Sequence, residues 1–166
     1  MASDNNIDVI VELIGGPDGP AFELAKSTIA NKKSLVTANK AMLAMHGDEL
    51  SNLAEKHNVS LNYEAAVAGG IPIVKTIRES LSGNKIEKVY GILNGTSNYI
   101  LTEMEDASSS FKDVLSDAQK KGFAEQDPKN DIDGIDSAHK ISILTSIAFG
   151  SMIDFKNVYI EGIRKI

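Results

Sequence analysis

The sequence predicts an α/β chain: a parallel sheet with crossover helices, followed by a segment that mixes helices with isolated strands. Three observations carry this. Short β-branched runs alternate with stretches of helical period as far as Tyr63. The stretches between those runs read as helices, spaced to cross over from one parallel strand to the next. From Glu64 onward the alternation stops, and a small-residue loop leads into helices and two strand-like runs.

Residues 7–14 (Ile-Asp-Val-Ile-Val-Glu-Leu-Ile) read as a buried strand ending at Gly15-Gly16. Pro20 suits the first turn of a helix whose Phe22, Leu24, Ala25, Thr28 and Ile29 recur at helical spacing until Asn31. Ser34-Leu35-Val36-Thr37 is a short strand. Asn39 caps a helix to about His57, with Leu43, Ala44, Leu50, Leu53 and Ala54 on its apolar side. Residues 59–63 form a third strand. Strand, helix, strand, helix, strand at this spacing gives a parallel sheet with right-handed crossovers, half of a doubly wound fold. No G-x-G-x-x-G phosphate turn occurs in the chain.

Further on, Pro72 opens a helix carrying Ile73, Ile77 and Leu81, and Gly83-Asn84 turns the chain. Residues 86–93 read as a strand and Asn94-Gly95-Thr96-Ser97 as a turn into a helix bearing Tyr99, Ile100, Leu101 and Met104. Ser110 with Asp113 resembles a capping box for a helix that Gly122 ends. The last helix runs from about Asp136 to Phe149, and residues 157–163 read as a closing strand.

Composition narrows the function. The chain has 166 residues, 42% hydrophobic and 24% charged, as soluble globular domains have. Its net charge of −6 disfavours nucleic acid and anionic membranes and points to a small-molecule or protein partner. The absence of cysteine excludes disulfides, thiol nucleophiles and zinc–thiolate sites. With no basic and apolar leader at Met1, the chain reads as cytoplasmic, so the formal glycosylation triplets at Asn58 and Asn94 carry no weight. His46, His57 and His139 lack metal-ligand spacing.

The densest polar cluster is Glu125, Asp127, Asp131, Asp133 and Asp136, with Lys140 one turn after Asp136. One reading is a solvated loop and a helix start that favours acids. The other is a pocket: Asp136 and Lys140 share a helix face, and the loop brings Glu125 and Asp131 over it. Such a pocket suits an amino acid, its carboxylates holding an ammonium and its lysine serving a reacting oxygen. A calcium loop is ruled out, because Lys129 and Lys140 would occupy ligand positions. Lys40 sits in a first helical turn, where a cation opposes the helix dipole. It is either a snorkelling surface lysine or a charge placed at the mouth of the sheet for an anionic group. The loop from Glu64 to Ile71 reads either as tight packing or as carbonyls and one carboxylate around a hard monovalent cation. Residues 91–98 read as a strand-to-helix turn whose amides can meet an anion.

Val11-Glu12-Leu13-Ile14-Gly15-Gly16, Thr37-Ala38-Asn39-Lys40-Ala41, Tyr63-Glu64-Ala65-Ala66-Val67-Ala68-Gly69-Gly70-Ile71-Pro72, Gly91-Ile92-Leu93-Asn94-Gly95-Thr96 and the stretch from Gly122 to Lys140 together resemble homoserine dehydrogenase, in order, from about Ile7 to Ile166. The resemblance implies an NADP- or NAD-dependent oxidoreductase that interconverts L-homoserine and L-aspartate 4-semialdehyde on the route to threonine, isoleucine and methionine. It implies a partial Rossmann-like sheet over residues 1–62 and an α+β substrate and dimerisation domain over residues 63–166. Lys140 is then the proton donor and acceptor, with Asp136 beside it. Glu125 and Asp131 contact substrate, Lys40 and Gly15 serve the cofactor, and Glu64 with Val67, Gly69 and Ile71 holds a sodium ion. A homodimer is implied too.

On the same resemblance the chain reads as an internal segment, truncated at the C-terminus and lacking the unit with the pyrophosphate turn. A rival reading follows: a noncatalytic association or regulatory module.

Overall fold

The computed structural model describes residues 1–166 and divides into two compact units, Met1–Val89 with Ser142–Lys156, and Tyr90–Ile141 with Asn157–Ile166.

Unit 1 holds a parallel sheet in the order β1 (Val9–Glu12), β2 (Ser34–Thr37), β3 (Leu61–Asn62), with Ile10 opposite Leu35 and Leu35 opposite Leu61. The crossovers are α1 (Pro20–Ala30) and α2 (Lys40–His57). Ile10 and Leu35 on the sheet, Ala21, Ala25 and Ile29 on α1, and Met42, Leu50 and Ala54 on α2 form one buried cluster. α1 starts with Pro20 in its first turn. Asn39 caps α2 by accepting the Met42 amide at 3.1 Å, and Asn58 ends it in the left-handed conformation that asparagine tolerates.

The first strand departs from expectation. Residues 7–14 read as a buried strand, but only Val9–Glu12 pair, and only Ile10 and Glu12 are buried. Val9 and Val11 are more than half exposed, because α1 and α2 cover one face of the sheet in this chain.

After β3 a 3-10 turn (Glu64–Ala66) leads through Ala68 and Gly70, both at positive φ, to α3 (Ile73–Lys75). The helix expected from Pro72 onward runs only one α turn before it becomes a π turn over Thr76–Ser80. The shift starts where the Thr76 hydroxyl donates to the Pro72 carbonyl at 2.6 Å, and Leu81 then bonds five residues back to Thr76.

Unit 2 is helical: α4 (Gly95–Ala107), α5 (Phe111–Lys120), the short α6 (Lys129–Ile132) and the start of α7 (Ile135–Phe149). Its core joins Ile100, Val114, Ala118, Ala124, Ile132 and Ile163. Ser110 caps α5 as the capping box predicts, and Gly122 follows at positive φ.

Two expected strands do not form. Residues 86–93 and 157–163 lie outside the sheet. Alternation survives in the second run, with Val158 and Ile160 half-buried and Tyr159 and Glu161 exposed. A strand is defined by a ladder with a neighbour, and a side-chain pattern selects a face without supplying that neighbour.

Candidate active site

In unit 2 the second residue of α7 is Asp136, 6% exposed. A carboxylate in a first turn complements the helix dipole. One turn on, the Lys140 ammonium reaches back to Asp136 Oδ2 at 2.7 Å and also donates to the Leu93 carbonyl at 2.7 Å. Asn94, buried ahead of α4, donates from one amide nitrogen to Asp131 Oδ1 at 2.7 Å and Asp136 Oδ2 at 2.9 Å. Its amide oxygen caps α4 by accepting the Ser97 amide. Ser97 Oγ donates to the Asp131 carbonyl at 2.9 Å, which fixes the acidic loop against the start of α4.

The structure therefore joins Asp131, Asp136 and Lys140, three of the four residues expected around the substrate. Glu125 makes no hydrogen bond with them. It stands exposed on the loop, its backbone carbonyl accepting from Gln119 at 3.0 Å. Close backbone packing holds the joined residues: a Cβ on Gly162 would lie 2.6 Å from the Ile132 carbonyl, and Ile163 donates to that carbonyl at 2.8 Å. Arg164 grips the Asp133 carboxylate with two nitrogens and holds its pKa below the usual value of 3.8.

In unit 1 the carboxyl ends of β1 and β2 run into adjacent loops, where open parallel sheets bind ligands. Gly15 and Gly16 adopt φ of +83° and +81°, and a Cβ on either would meet nothing within 4 Å. A pocket lined by Leu13, Gly15, Ala38 and Asn39 opens there, and Lys40 follows as the first residue of α2. The fully buried Glu12 shapes this rim. It accepts the Ile14 amide at 2.6 Å, the Gly15 amide at 3.2 Å and the Thr37 hydroxyl at 2.5 Å. Asn39 donates to the Gly16 carbonyl at 2.7 Å. The open glycine backbone at the strand ends fits a flat ligand such as a nicotinamide ring.

The Glu64 loop presents a different donor set. Both Glu64 carboxylate oxygens accept backbone amides, from Val74 at 2.9 Å and Lys75 at 2.8 Å, and the Ile71 carbonyl accepts from Ile73. Val67 is buried, Ile71 is exposed, and Ala68 and Gly70 turn the intervening backbone. No cluster of three or more His, Cys, Asp or Glu side chains assembles here or elsewhere. Carbonyl oxygens with one carboxylate fit a hard monovalent cation and not a transition metal.

Glu12, Thr37, Asn39 and Asn94 were not singled out for these contacts by sequence reasoning. Glu12 carried a signal, as the one ionisable residue of the run Val9-Ile10-Val11-Glu12-Leu13-Ile14 leading into two glycines. The Asn94 signal was ambiguous, because a cap residue and a site residue look alike in sequence.

A parallel sheet with glycine-rich loops at its strand ends, followed by a helical unit holding a buried Asp–Lys pair, defines a Rossmann-like α/β fold with an added helical unit. Two family models cover almost the whole chain: homoserine dehydrogenase, NAD binding domain, over residues 1–64, and homoserine dehydrogenase over residues 72–166. The chain belongs to the homoserine dehydrogenase family. It is 52% identical to the homoserine dehydrogenase of Pseudomonas aeruginosa and 51% identical to that of Neisseria gonorrhoeae, covering all of this chain and 38% of each relative. A crystal structure of a homoserine dehydrogenase from Thiobacillus denitrificans matches 99% of the chain and 38% of its own with a TM-score of 0.97 at 52% identity. A hyperthermophilic archaeal homoserine dehydrogenase in complex with NADPH matches 92% of this chain and 49% of its own with a TM-score of 0.81 at 31% identity. The chain thus spans about 38% of the length of the curated relatives it matches. These matches favour the dehydrogenase reading over the noncatalytic module. No helix is long and apolar enough to cross a membrane.

Proposed function

We propose that the chain supplies the catalytic residues for the NADP- or NAD-dependent interconversion of L-homoserine and L-aspartate 4-semialdehyde. The observation that carries this is the Lys140 ammonium held between Asp136 and the Leu93 carbonyl. A bound nicotinamide would supply the hydride chemistry at the substrate carbon. The Lys140 ammonium would stabilise the negative charge that develops on the substrate oxygen and then neutralise it with a proton. Solvent returns that proton to the amine. In the reverse direction neutral Lys140 removes the hydroxyl proton. Asp136 fixes the direction of Lys140, while Asp131 and Glu125 meet the α-ammonium of the amino acid. Gly15 and Lys40 serve the cofactor.

The reading extends to a sodium ion held by Glu64 and the backbone oxygens of Val67, Gly69 and Ile71, which brace the loop after β3. It divides the chain at residues 62 and 63 into nucleotide-binding and substrate domains. It places the protein in the cytoplasm, on the route to threonine, isoleucine and methionine, as a homodimer. The exposed Tyr90, Ile92 and Tyr159, on segments patterned as strands, support the last point.

The test is a chimera in which this chain replaces the matching segment of the Pseudomonas aeruginosa homoserine dehydrogenase. NADPH oxidation should appear only when aspartate semialdehyde is added, and Lys140→Ala should lower turnover about 100- to 10,000-fold. A folded chimera without substrate-dependent oxidation overturns the function, and an unimpaired Lys140→Ala variant overturns the role of that lysine.

A further inference from the structure

We propose that Asn94 is the positioning residue of this site: a single side-chain amide that holds Asp131 and Asp136 in register and, through Asp136, aims Lys140. The inference rests on the dehydrogenase reading above. An asparagine side chain has two donors and one acceptor group, and here each has a named partner. Nδ2 donates to Asp131 Oδ1 at 2.7 Å and to Asp136 Oδ2 at 2.9 Å, and Oδ1 accepts the Ser97 amide at 2.7 Å.

The acceptor bond fixes which way the amide faces. Because Oδ1 is committed to the start of α4, the NH₂ group must point at the acidic loop. Without those donors the half-buried Asp131 and the buried Asp136 would be two carboxylates facing the same side chain with no donor between them, and they would repel. Asp136 Oδ2 accepts from both Asn94 and Lys140, so a rotation of that carboxylate displaces the ammonium as well. The neighbouring residue completes the hold, since Lys140 also donates to the Leu93 carbonyl. The dipeptide Leu93-Asn94 therefore contacts both members of the ion pair.

The cap and the positioning role separate by substitution. Serine and aspartate are N-cap residues as good as asparagine, so Asn94→Ser and Asn94→Asp both retain an acceptor for the Ser97 amide. Both lose the two amide donors: serine keeps a single hydroxyl donor on a shorter side chain that cannot serve both carboxylates, and aspartate adds a third carboxylate to the site.

In the chimera, each variant should lower kcat about 100-fold, the scale of a misplaced reacting group, with the KM for NADPH unchanged. Amide exchange on the 166-residue chain should show Ser97 as protected in both variants as in the parent. Parent-like kcat in Asn94→Ser overturns the proposal. So does a loss of kcat accompanied by lost protection at Ser97, because the residue then acts only as a helix cap. A parent chimera that does not turn over overturns the functional reading instead.

Discussion

The Glu12 carboxylate and the Thr37 hydroxyl meet at 2.5 Å in the core of unit 1, tying the end of β1 to the end of β2. Thr37 also accepts the Asn39 amide at 3.0 Å, so one hydroxyl links the sheet to the start of α2. Thr28, fully buried on α1, is the opposite case: its hydroxyl has no hydrogen-bond partner. The same substitution should therefore have opposite signs at the two positions. Thr37→Val leaves Glu12 and the Asn39 amide each short of a buried partner and should cost about 1–3 kcal/mol. Thr28→Val removes an unsatisfied buried hydroxyl at nearly constant shape and should stabilise by roughly 1 kcal/mol. Urea unfolding midpoints measure both, and equal shifts in one direction would refute the contrast.

Gly162 sets the second expectation. A Cβ there would stand 2.6 Å from the Ile132 carbonyl and 2.8 Å from Asp133 Cα, both backbone atoms that cannot swing aside. Gly162→Ala should destabilise unit 2 by about 1–3 kcal/mol. Gly91→Ala meets nothing within 4 Å and should be close to neutral. Thermal unfolding of the two variants decides this.

The sequence carried the order of β1, α1, β2, α2 and β3, because period and punctuation are local properties of the chain. It also carried the caps at Asn39 and Ser110, and the shared face of Asp136 and Lys140, which follows from four-residue spacing alone. What it did not carry depends on a neighbour. The runs around Tyr90 and Tyr159 have strand patterning, yet a pattern cannot name the ladder partner that would make them strands. Glu125 lies on an acidic loop whose path is set by the packing of Ala124 and Ile132, and that path leaves its side chain exposed. Glu12 stands out in its β-branched run, yet its partner is not legible there, since only folding brings Thr37 beside it.

Tyr63 gives the chain an alkaline sensitivity. Burial raises the phenol pKa above its ordinary value of 10.0, with Arg78 opposing in part. Between the unfolded and folded values the unfolded chain has lost the proton while the folded chain still holds it. The stabilising contribution is thus complete below about pH 10 and disappears as pH rises through the folded value. Tyr63→Phe should flatten the loss of stability above pH 10 and leave neutral pH behaviour unchanged. An identical alkaline slope in the variant would show that another group is responsible.

The Asp136–Lys140 pair poses the question of whether it serves stability or chemistry, and substitution can separate the two. Asp136 is 6% exposed and the Lys140 side chain 19%, so each ion is largely withdrawn from water. Removing one partner strands the other: Asp136→Ala leaves a half-buried ammonium with only the Leu93 carbonyl and should cost about 3 kcal/mol. Replacing both by apolar groups of similar volume, as in Asp136→Leu with Lys140→Met, removes the desolvation penalty along with the attraction and should recover most of that loss. Turnover in the chimera should stay absent in the double variant, because neither substitute can place or move a proton at the substrate oxygen. Recovered stability without recovered activity would identify the pair as retained for catalysis at no net gain to the fold. A double variant that turns over at the parent rate would remove Lys140 from the mechanism.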